Sequence, residues 1–316
     1  MDLICIGEML IDFTPGSAPD EFTANPGGAP ANVAITAARS GIDTGFIGKL
    51  GNDAFGKRLL KVLETDNVKM LCDSLTDDAI TTLAFVSLGQ DGERSFTFAR
   101  KPGADILLRP EDVDMEAISE CRILHAGSLS LSDEPSRSAV MAAIKEAKSK
   151  NKIISFDVNY RDMIWRSEER CKEQTDPVLP YVDILKISDQ ELSFVGGSDN
   201  IESFMINNRT TVLIVTMGKD GARYYFRKSA GSISSDVVPG RNVPSIDTTA
   251  AGDAFFGAFL SRLLLFGITQ AGGITEDMVK CAVKYGNAAG SLCIQSWGGI
   301  PSLPERSHIE SVLDKE

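Results

Sequence analysis

Histidine is nearly missing from this chain of 316 residues: only His125 and His308 occur. Two histidines cannot build a multi-histidine metal centre, and no HExxH pattern is present. The six cysteines (5, 72, 121, 171, 281 and 293) form no CxxC pair. They read as reduced thiols, which argues against a zinc knuckle and a disulfide framework. No apolar run reaches the roughly 18 residues that a bilayer-spanning helix requires. The opening Met1-Asp-Leu-Ile-Cys-Ile-Gly7 has no basic region and too short an apolar stretch for a signal peptide, so a cytoplasmic location is expected. Positive charge is scarce as well. Thirty-two Lys and Arg against 44 Asp and Glu leave a net charge of −12. A field of that sign repels phosphate backbones and anionic lipid, so neither nucleic acid nor a membrane surface is an expected partner. Any anionic ligand must be held by a local site working against the global charge.

What remains is ordinary globular composition, 43% hydrophobic and 24% charged. Short apolar runs recur at Leu3–Gly7, Thr44–Lys49, Ile123–Ala126, Ile153–Val158, Ile184–Ile187 and Val212–Thr216. Continuously apolar strands of this length are those buried on both faces. Helical stretches, Pro30–Ser40, Ala54–Thr65, Ser136–Lys150 and Gly252–Phe266, lie between or beyond them. The alternation predicts an α/β fold with a mainly parallel sheet. One region breaks the rhythm. Thr82–Leu88 and Ser95–Arg100 have no helix between them, and Phe96 and Phe98 alternate with Ser95 and Thr97. That is a hairpin with one covered face, a flap attached to the main sheet.

The most informative segment is Asp247-Thr-Thr-Ala250-Ala251-Gly252-Asp253, followed by an almost wholly apolar helix. Small residues in its first turn leave backbone N–H groups exposed to whatever sits in front, and such a helix end binds anions. Asp253 is placed to take a proton from a hydroxyl attacking a phosphoryl group; alternatively it only complements the helix dipole. Near the N-terminus, Asn25-Pro-Gly27-Gly28-Ala-Pro30-Ala-Asn32 leads into another helix, with Pro30 suited to the first turn. Asp12 lies just beyond the first strand. A carboxylate, the Asn32 amide and bare glycine N–H groups suit a polyol, whose hydroxyls donate and accept; a tight strand-to-helix turn is the simpler alternative.

Two motifs mislead. Gly51-Asn-Asp-Ala-Phe-Gly56-Lys57-Arg58 matches a P-loop except that Arg58 replaces the Ser or Thr that would hold Mg²⁺, so it reads as a loop and helix start. No GxGxxG follows the first strand, which removes the usual sign of a dinucleotide enzyme. The remaining polar segments, Asp157–Arg161, Lys186–Glu191 and Thr216–Gly221, end strands, where ligands of open α/β sheets bind.

Together these segments resemble the ribokinase-like carbohydrate kinases, most closely the fructokinases, from Gly7 to about Pro304. Gly27–Asn32 and Asp247–Asp253 match the two signatures, and Gly48–Gly56 and Gly298–Pro304 are similar to further family segments. The resemblance implies one kinase domain over 1–316, a three-layer α/β/α sandwich with a small β-sheet lid built from segments near 12–26 and 81–105. It implies ATP, Mg²⁺, K⁺ as a monovalent activator, and a homodimer formed through the lid. By the same resemblance Asp253 is the catalytic base, with Ala250, Ala251 and Gly252 as anion-hole backbone. Asp12, Gly28, Asn32, Arg100 and Arg161 would contact the sugar. Lys186, Thr216, Gly218, Gly221 and Asn287 would lie on the nucleotide side. Glu191 would order the waters of Mg²⁺, and Asp247 would serve the monovalent cation.

Four positions depart from the pattern. Ala250 stands where many members have glycine and Ser188 where ribokinases have asparagine. Ala99 and Ala126 replace frequent aromatics, a change that bears on the sugar's identity rather than the reaction. The expected activity is phosphorylation of D-fructose to D-fructose 6-phosphate. A 2-keto-3-deoxygluconate kinase is the nearest rival, and a catalytically silent sugar-binding protein is the rival from another class. Such a silent protein would be expected to lose Asp253 or the glycines, which this chain keeps.

Overall fold

The structure, a computed structural model, describes residues 1–315 apart from 17, 19, 20 and 89–93. The strands in chain order are β1 (Leu3–Ile6), β2 (Leu10–Pro15), β3 (Phe22–Gly27), β4 (Thr44–Ile47), β5 (Leu50–Gly51), β6 (Lys69–Met70), β7 (Leu75–Thr76) and β8 (Leu83–Leu88). They continue as β9 (Arg94–Ala99), β10 (Ile123–Gly127), β11 (Ile153–Asp157), β12 (Ile184–Ser188), β13 (Val212–Thr216), β14 (Ala222–Arg227) and β15 (Ile233–Val238). Nine form one sheet, in the order β15-β14-β13-β12-β11-β10-β1-β4-β6. From β6 to β13 the pairs are parallel, and only β14 and β15 run antiparallel.

Along β1, Leu3 and Cys5 enter one core while Ile4 and Ile6 enter another. The sheet is thus covered on both faces, which is why its strands read as unbroken apolar runs. Helices Ala29–Arg39, Ala54–Thr65, Ala251–Leu265 and Glu276–Cys293 fill the first core; Ser136–Ser149, Glu168–Thr175 and Ile201–Asn208 fill the second. This is the three-layer α/β/α sandwich. The Ala251–Leu265 helix is buried from Asp253 to Ser261. It crosses the Ala29–Arg39 helix so closely that a Cβ on Gly257 would stand 2.8 Å from the Val33 carbonyl oxygen. Only glycine permits that approach.

A second sheet, β3-β2-β8-β9, joins a hairpin from near the N-terminus to the expected one. The turn between β8 and β9 (89–93) and the Phe96 side chain lie outside the described residues. Of the alternation expected there, Thr97 is exposed and Phe98 half-buried. β14 and the Glu276–Cys293 helix are among the elements that the short apolar runs do not reveal. In β14, buried Ala222, Tyr224 and Phe226 alternate with half-buried Arg223, Tyr225 and Arg227, a period-two signal. The Glu276–Cys293 helix begins with Thr275 accepting a hydrogen bond from the Met278 N–H, an ordinary N-cap. The P-loop-like segment is a helix start: Asp53 Oδ1 accepts the Gly56 N–H at 2.8 Å. Its carboxylate occupies the helix end that a phosphate would need.

Arg100, directly after β9, ties the second sheet to the body. Its guanidinium meets Asp105 at 2.6 Å, with side chains only 5% and 1% exposed. Its Nη1 also donates to Ser132 Oγ at 2.8 Å, and Thr82 donates to the other Asp105 oxygen. Truncating one partner of a buried ion pair strands the other charge. Arg100→Ala is therefore expected to lose about 3–5 kcal/mol of stability. Urea unfolding checks this through a lower midpoint at unchanged slope.

Candidate active site

At the carboxyl ends of the central strands lies a cavity of about 390 Å³. Glu8, Leu10 and Asp12 wall it from the β1–β2 connection and β2, and Phe98 from β9. Gly28, Ala29 and Asn32 come from the start of one helix, Asn159 and Arg161 from the loop after β11, and Thr248–Ala250, Gly252 and Asp253 from the start of another. Segments distant in the chain meet there because parallel strands deliver their ends to one edge.

The Ala251–Leu265 helix is held at its start by Asp247. Asp247 Oδ1 accepts the Thr249 N–H at 2.9 Å and hydroxyl at 2.7 Å, and Oδ2 accepts the Gly298 N–H at 3.0 Å. Ala250 then turns left-handed, with φ of 61°. The Ala251 N–H is taken by the Thr248 carbonyl at 3.3 Å, whereas those of Gly252 and Asp253 have no backbone partner among the described residues. Gly252 and Asp253 thus have N–H groups left to offer at the helix start, and Ala251 does not. Two free N–H groups at the positive end of a long helix attract an anion.

Asp253 Oδ2 accepts a hydrogen bond from Asn32 Nδ2 at 2.7 Å. Burial pushes the Asp253 carboxyl above its ordinary range, while Asn32, Lys186 and Arg161 pull it back. Asn32 Oδ1 is buried with no hydrogen-bond partner among the described residues, an acceptor beside the cavity. Asp12 titrates at about 7, raised first by burial and then by Asp253, against the pull of Arg161. Gly28 permits the turn into the Ala29–Arg39 helix: its φ is 111°, and a Cβ there would stand 2.6 Å from the Glu8 carbonyl oxygen. Glu8 was not among the expected site residues. It lines the cavity, accepts the Ser130 hydroxyl at 2.6 Å, and burial lifts it to about 7. It lies in the β1–β2 connection four residues before Asp12, and that nearness to an expected site carboxylate was the available signal.

Asp12, Gly28, Asn32, Arg161, Ala250, Gly252 and Asp253 are brought together on this wall. Arg100 is not, and this corrects the sequence expectation: its guanidinium is closed on Asp105 and Ser132. The nucleotide-side residues form a separate shelf. Thr216 ends β13, with its hydroxyl 3.3 Å from the Ile187 carbonyl, and Gly218 and Gly221 bracket the turn into β14. Asn287 donates to the carbonyls of Val238 and Pro239 at 3.0 and 3.1 Å, bracing the end of β15 beside Gly221. Lys186 pairs with Asp157 at 2.7 Å beneath the shelf. Glu191 accepts the Tyr160 and Ser188 N–H groups at 2.5 and 2.7 Å. Each carboxylate oxygen has a lone pair left for water, so Glu191 suits a water-mediated role at a metal better than direct ligation.

An α/β/α sandwich in which the open end of a buried helix faces a cavity lined by carboxylates and an amide is the architecture of a ribokinase-like phosphotransferase. A family model described as pfkB family carbohydrate kinase matches residues 1–306. The chain belongs to that family. It is 37% identical to probable fructokinase-4 of Arabidopsis thaliana over 98% of this chain and 96% of the relative. To fructokinase-1 of Zea mays it is 38% identical over 99% and 98%. Among solved structures, fructokinase from Xylella fastidiosa with bound ATP superposes with a TM-score of 0.89, at 30% identity over 99% and 98% of the two chains. A fructokinase double mutant from Vibrio cholerae O395, with fructose, ADP and potassium ion bound, gives 0.87 at 30% identity over 98% and 97%.

The left-handed Ala250 generates a prediction. An L-residue there costs roughly 1–2 kcal/mol, partly offset by the extra chain entropy that glycine loses on folding. Ala250→Gly is expected to raise stability slightly, by at most about 1 kcal/mol, and to keep kcat. Thermal unfolding and a steady-state assay check the two halves.

Proposed function

We propose that this protein is a fructokinase, transferring the γ-phosphoryl group of ATP to the primary hydroxyl of D-fructose. The observation that carries the reading is the Asn32–Asp253 hydrogen bond at the open end of the Ala251–Leu265 helix, which puts a base beside two free N–H groups. The fructokinase relatives at 37% and 38% identity support the choice of sugar. Phosphoryl transfer passes through a loose transition state, so positioning and charge neutralisation outweigh base strength. Asp253 takes the hydroxyl proton; the Gly252 and Asp253 N–H groups receive the negative charge of the moving group. Asp12, Asn32, Arg161 and the Gly28 backbone hold the sugar, the first two as acceptors for its hydroxyls. ATP lies along the shelf of Lys186, Thr216, Gly218, Gly221 and Asn287. Glu191 would order the waters of a bound Mg²⁺, whose charge would offset that of the ATP phosphates. K⁺ belongs near the Asp247 loop, where the carboxylate orients the turn.

The second sheet serves as the lid. Its face away from the cavity carries Phe22, 46% exposed and edge-on to Phe85, while Phe13, stacked on Phe85 at 4.9 Å, packs against Phe55 of the Ala54–Thr65 helix. That face supports a homodimer. All six cysteines are free, which supports a cytoplasmic location. The net charge of −12 speaks against nucleic-acid and membrane partners.

Asp253→Asn is expected to cut kcat by about 10²–10⁴-fold while the KM for fructose changes little. An ADP-release assay with fructose and 2-keto-3-deoxygluconate side by side checks the base and the sugar together. A tenfold preference for the keto acid overturns the sugar. An unchanged kcat in the variant returns Asp253 to a structural acid.

The same bond generates a pH prediction. Asp253 must be ionised to act, and the Asn32 hydrogen bond lowers its pKa. Asn32→Ala is therefore expected to move the acidic limb of the kcat profile to higher pH, which a rate series across that limb measures.

A further inference from the structure

We propose that Glu8 is a specificity-determining residue of the sugar site. Its carboxylate takes hydroxyls at the end of the cavity away from Asp253 and shuts out substrates that carry a carboxylate there. The proposal rests on the sugar-kinase reading above and deepens it to a substrate class, neutral sugars rather than sugar acids.

Glu8 is only 3% exposed, yet it lines the cavity. The chain beside it is wedged in place. A Cβ on Gly7 would stand 2.6 Å from Ser130 Oγ and 2.7 Å from the Pro30 ring, so this segment is held between the Ser130 turn and the start of the Ala29–Arg39 helix. An ionised carboxyl offers two oxygens with about four acceptor sites. Among the described residues Ser130 is the one side-chain donor to Glu8, on Oε2. A buried acid with so few donors is costly to keep. The cavity it lines is where the missing donors can come from.

The neighbouring charges show which end it serves. Asp105 and Arg100 act on Glu8, whereas Asp253, Arg161 and Asp247 act on Asp12. Glu8 therefore belongs to the end near the root of the second sheet, and Asp12 to the end where the phosphoryl group moves. Arg161 is the one cation among the described residues lining the cavity. Arg100 is closed on Asp105 and Ser132 and has no charge to lend a ligand. A substrate carboxylate at the Glu8 end would meet like charge without a compensating cation. Sugar hydroxyls would meet an acceptor.

The test compares D-fructose with 2-keto-3-deoxygluconate on the full-length enzyme, by turnover and by calorimetric Kd. It is run at pH 8, where Glu8, lifted by burial to about 7, is ionised. Glu8→Gln keeps the shape and an oxygen for Ser130 but loses the charge. It is expected to weaken fructose about tenfold in Kd and KM, with a smaller change in kcat, because a charged acceptor binds a hydroxyl more strongly than a neutral one. Keto-acid kcat/KM is expected to rise about tenfold as the repulsion goes. A variant that binds fructose as wild type does, or gains nothing on the keto acid, overturns the proposal. Ser130→Ala leaves the carboxylate in place and is expected to gain nothing on the keto acid; an equal gain there assigns the selectivity to the Ser130 turn and also overturns it. Should Glu8→Gln fail to fold, Glu8→Met with Ser130→Ala removes acid and donor together, and the same two readings decide. A wild type that binds fructose without phosphorylating it ends the fructokinase reading, and the Kd values then decide this proposal alone. If wild type takes another neutral sugar instead, only the fructose assignment fails, and the comparison is made with that sugar. A wild type that prefers the keto acid overturns both.

Discussion

The site depends on one turn being held open. The Ala251–Leu265 helix is buried along most of its length, so its direction is set by packing against the Ala29–Arg39 and Glu276–Cys293 helices and the sheet. Its first N–H groups nonetheless face a cavity. Asp247 makes this possible by drawing Thr249 and Gly298 onto one carboxylate, which leaves the chain to swing left-handed at Ala250 and enter the helix without a capping side chain. A Ser, Thr or Asp cap would satisfy the very donors that bind an anion. The energetic cost of a strained alanine and uncapped amides sits where the reaction needs pre-organised charge.

A chain of net charge −12 that belongs to a kinase family has to admit a phosphorylated donor. The structure meets that requirement locally. Lys186 and Arg161 both act on Asp253, and Lys186 is shielded from water by its partner strand. Around them stand Asp12, Asp157, Glu191 and Asp253, enough negative charge to keep the cations charged and to accept sugar hydroxyls. For side chains as buried as these, each of the interactions is stronger than at the surface. Raised carboxyl pKa values at Glu8, Asp12 and Asp253 are the other side of the same arrangement. They record how much desolvation the site tolerates to be selective.

Arg100 shows how a family position can be matched while its side chain is engaged elsewhere. The resemblance placed a basic residue near the substrate, and the chain does bring Arg100 to the edge of the second sheet. There Asp105, five residues on, captures the guanidinium in a buried pair. Its proximity in sequence was visible, but the fold of the intervening turn was not. Glu8 is the converse case. Nearness to Asp12 is all that the sequence offers to set it apart from a surface acid, and the closing of the Ser130 segment over it makes it a buried cavity wall.

The sequence by itself determined the layers. Continuous apolar runs required strands covered on both faces, their alternation with helices required parallel crossovers, and the two signatures named the family. Local chemistry suffices for these conclusions because burial pattern and turn residues act over a few positions. It did not determine which polar residues meet. Asp253 finds Asn32 across 221 residues of chain, and Lys186 finds Asp157 across 29. Those meetings exist because parallel strands in register deliver their ends to one edge and two helices start there. That is a property of the sheet order, which no local window contains.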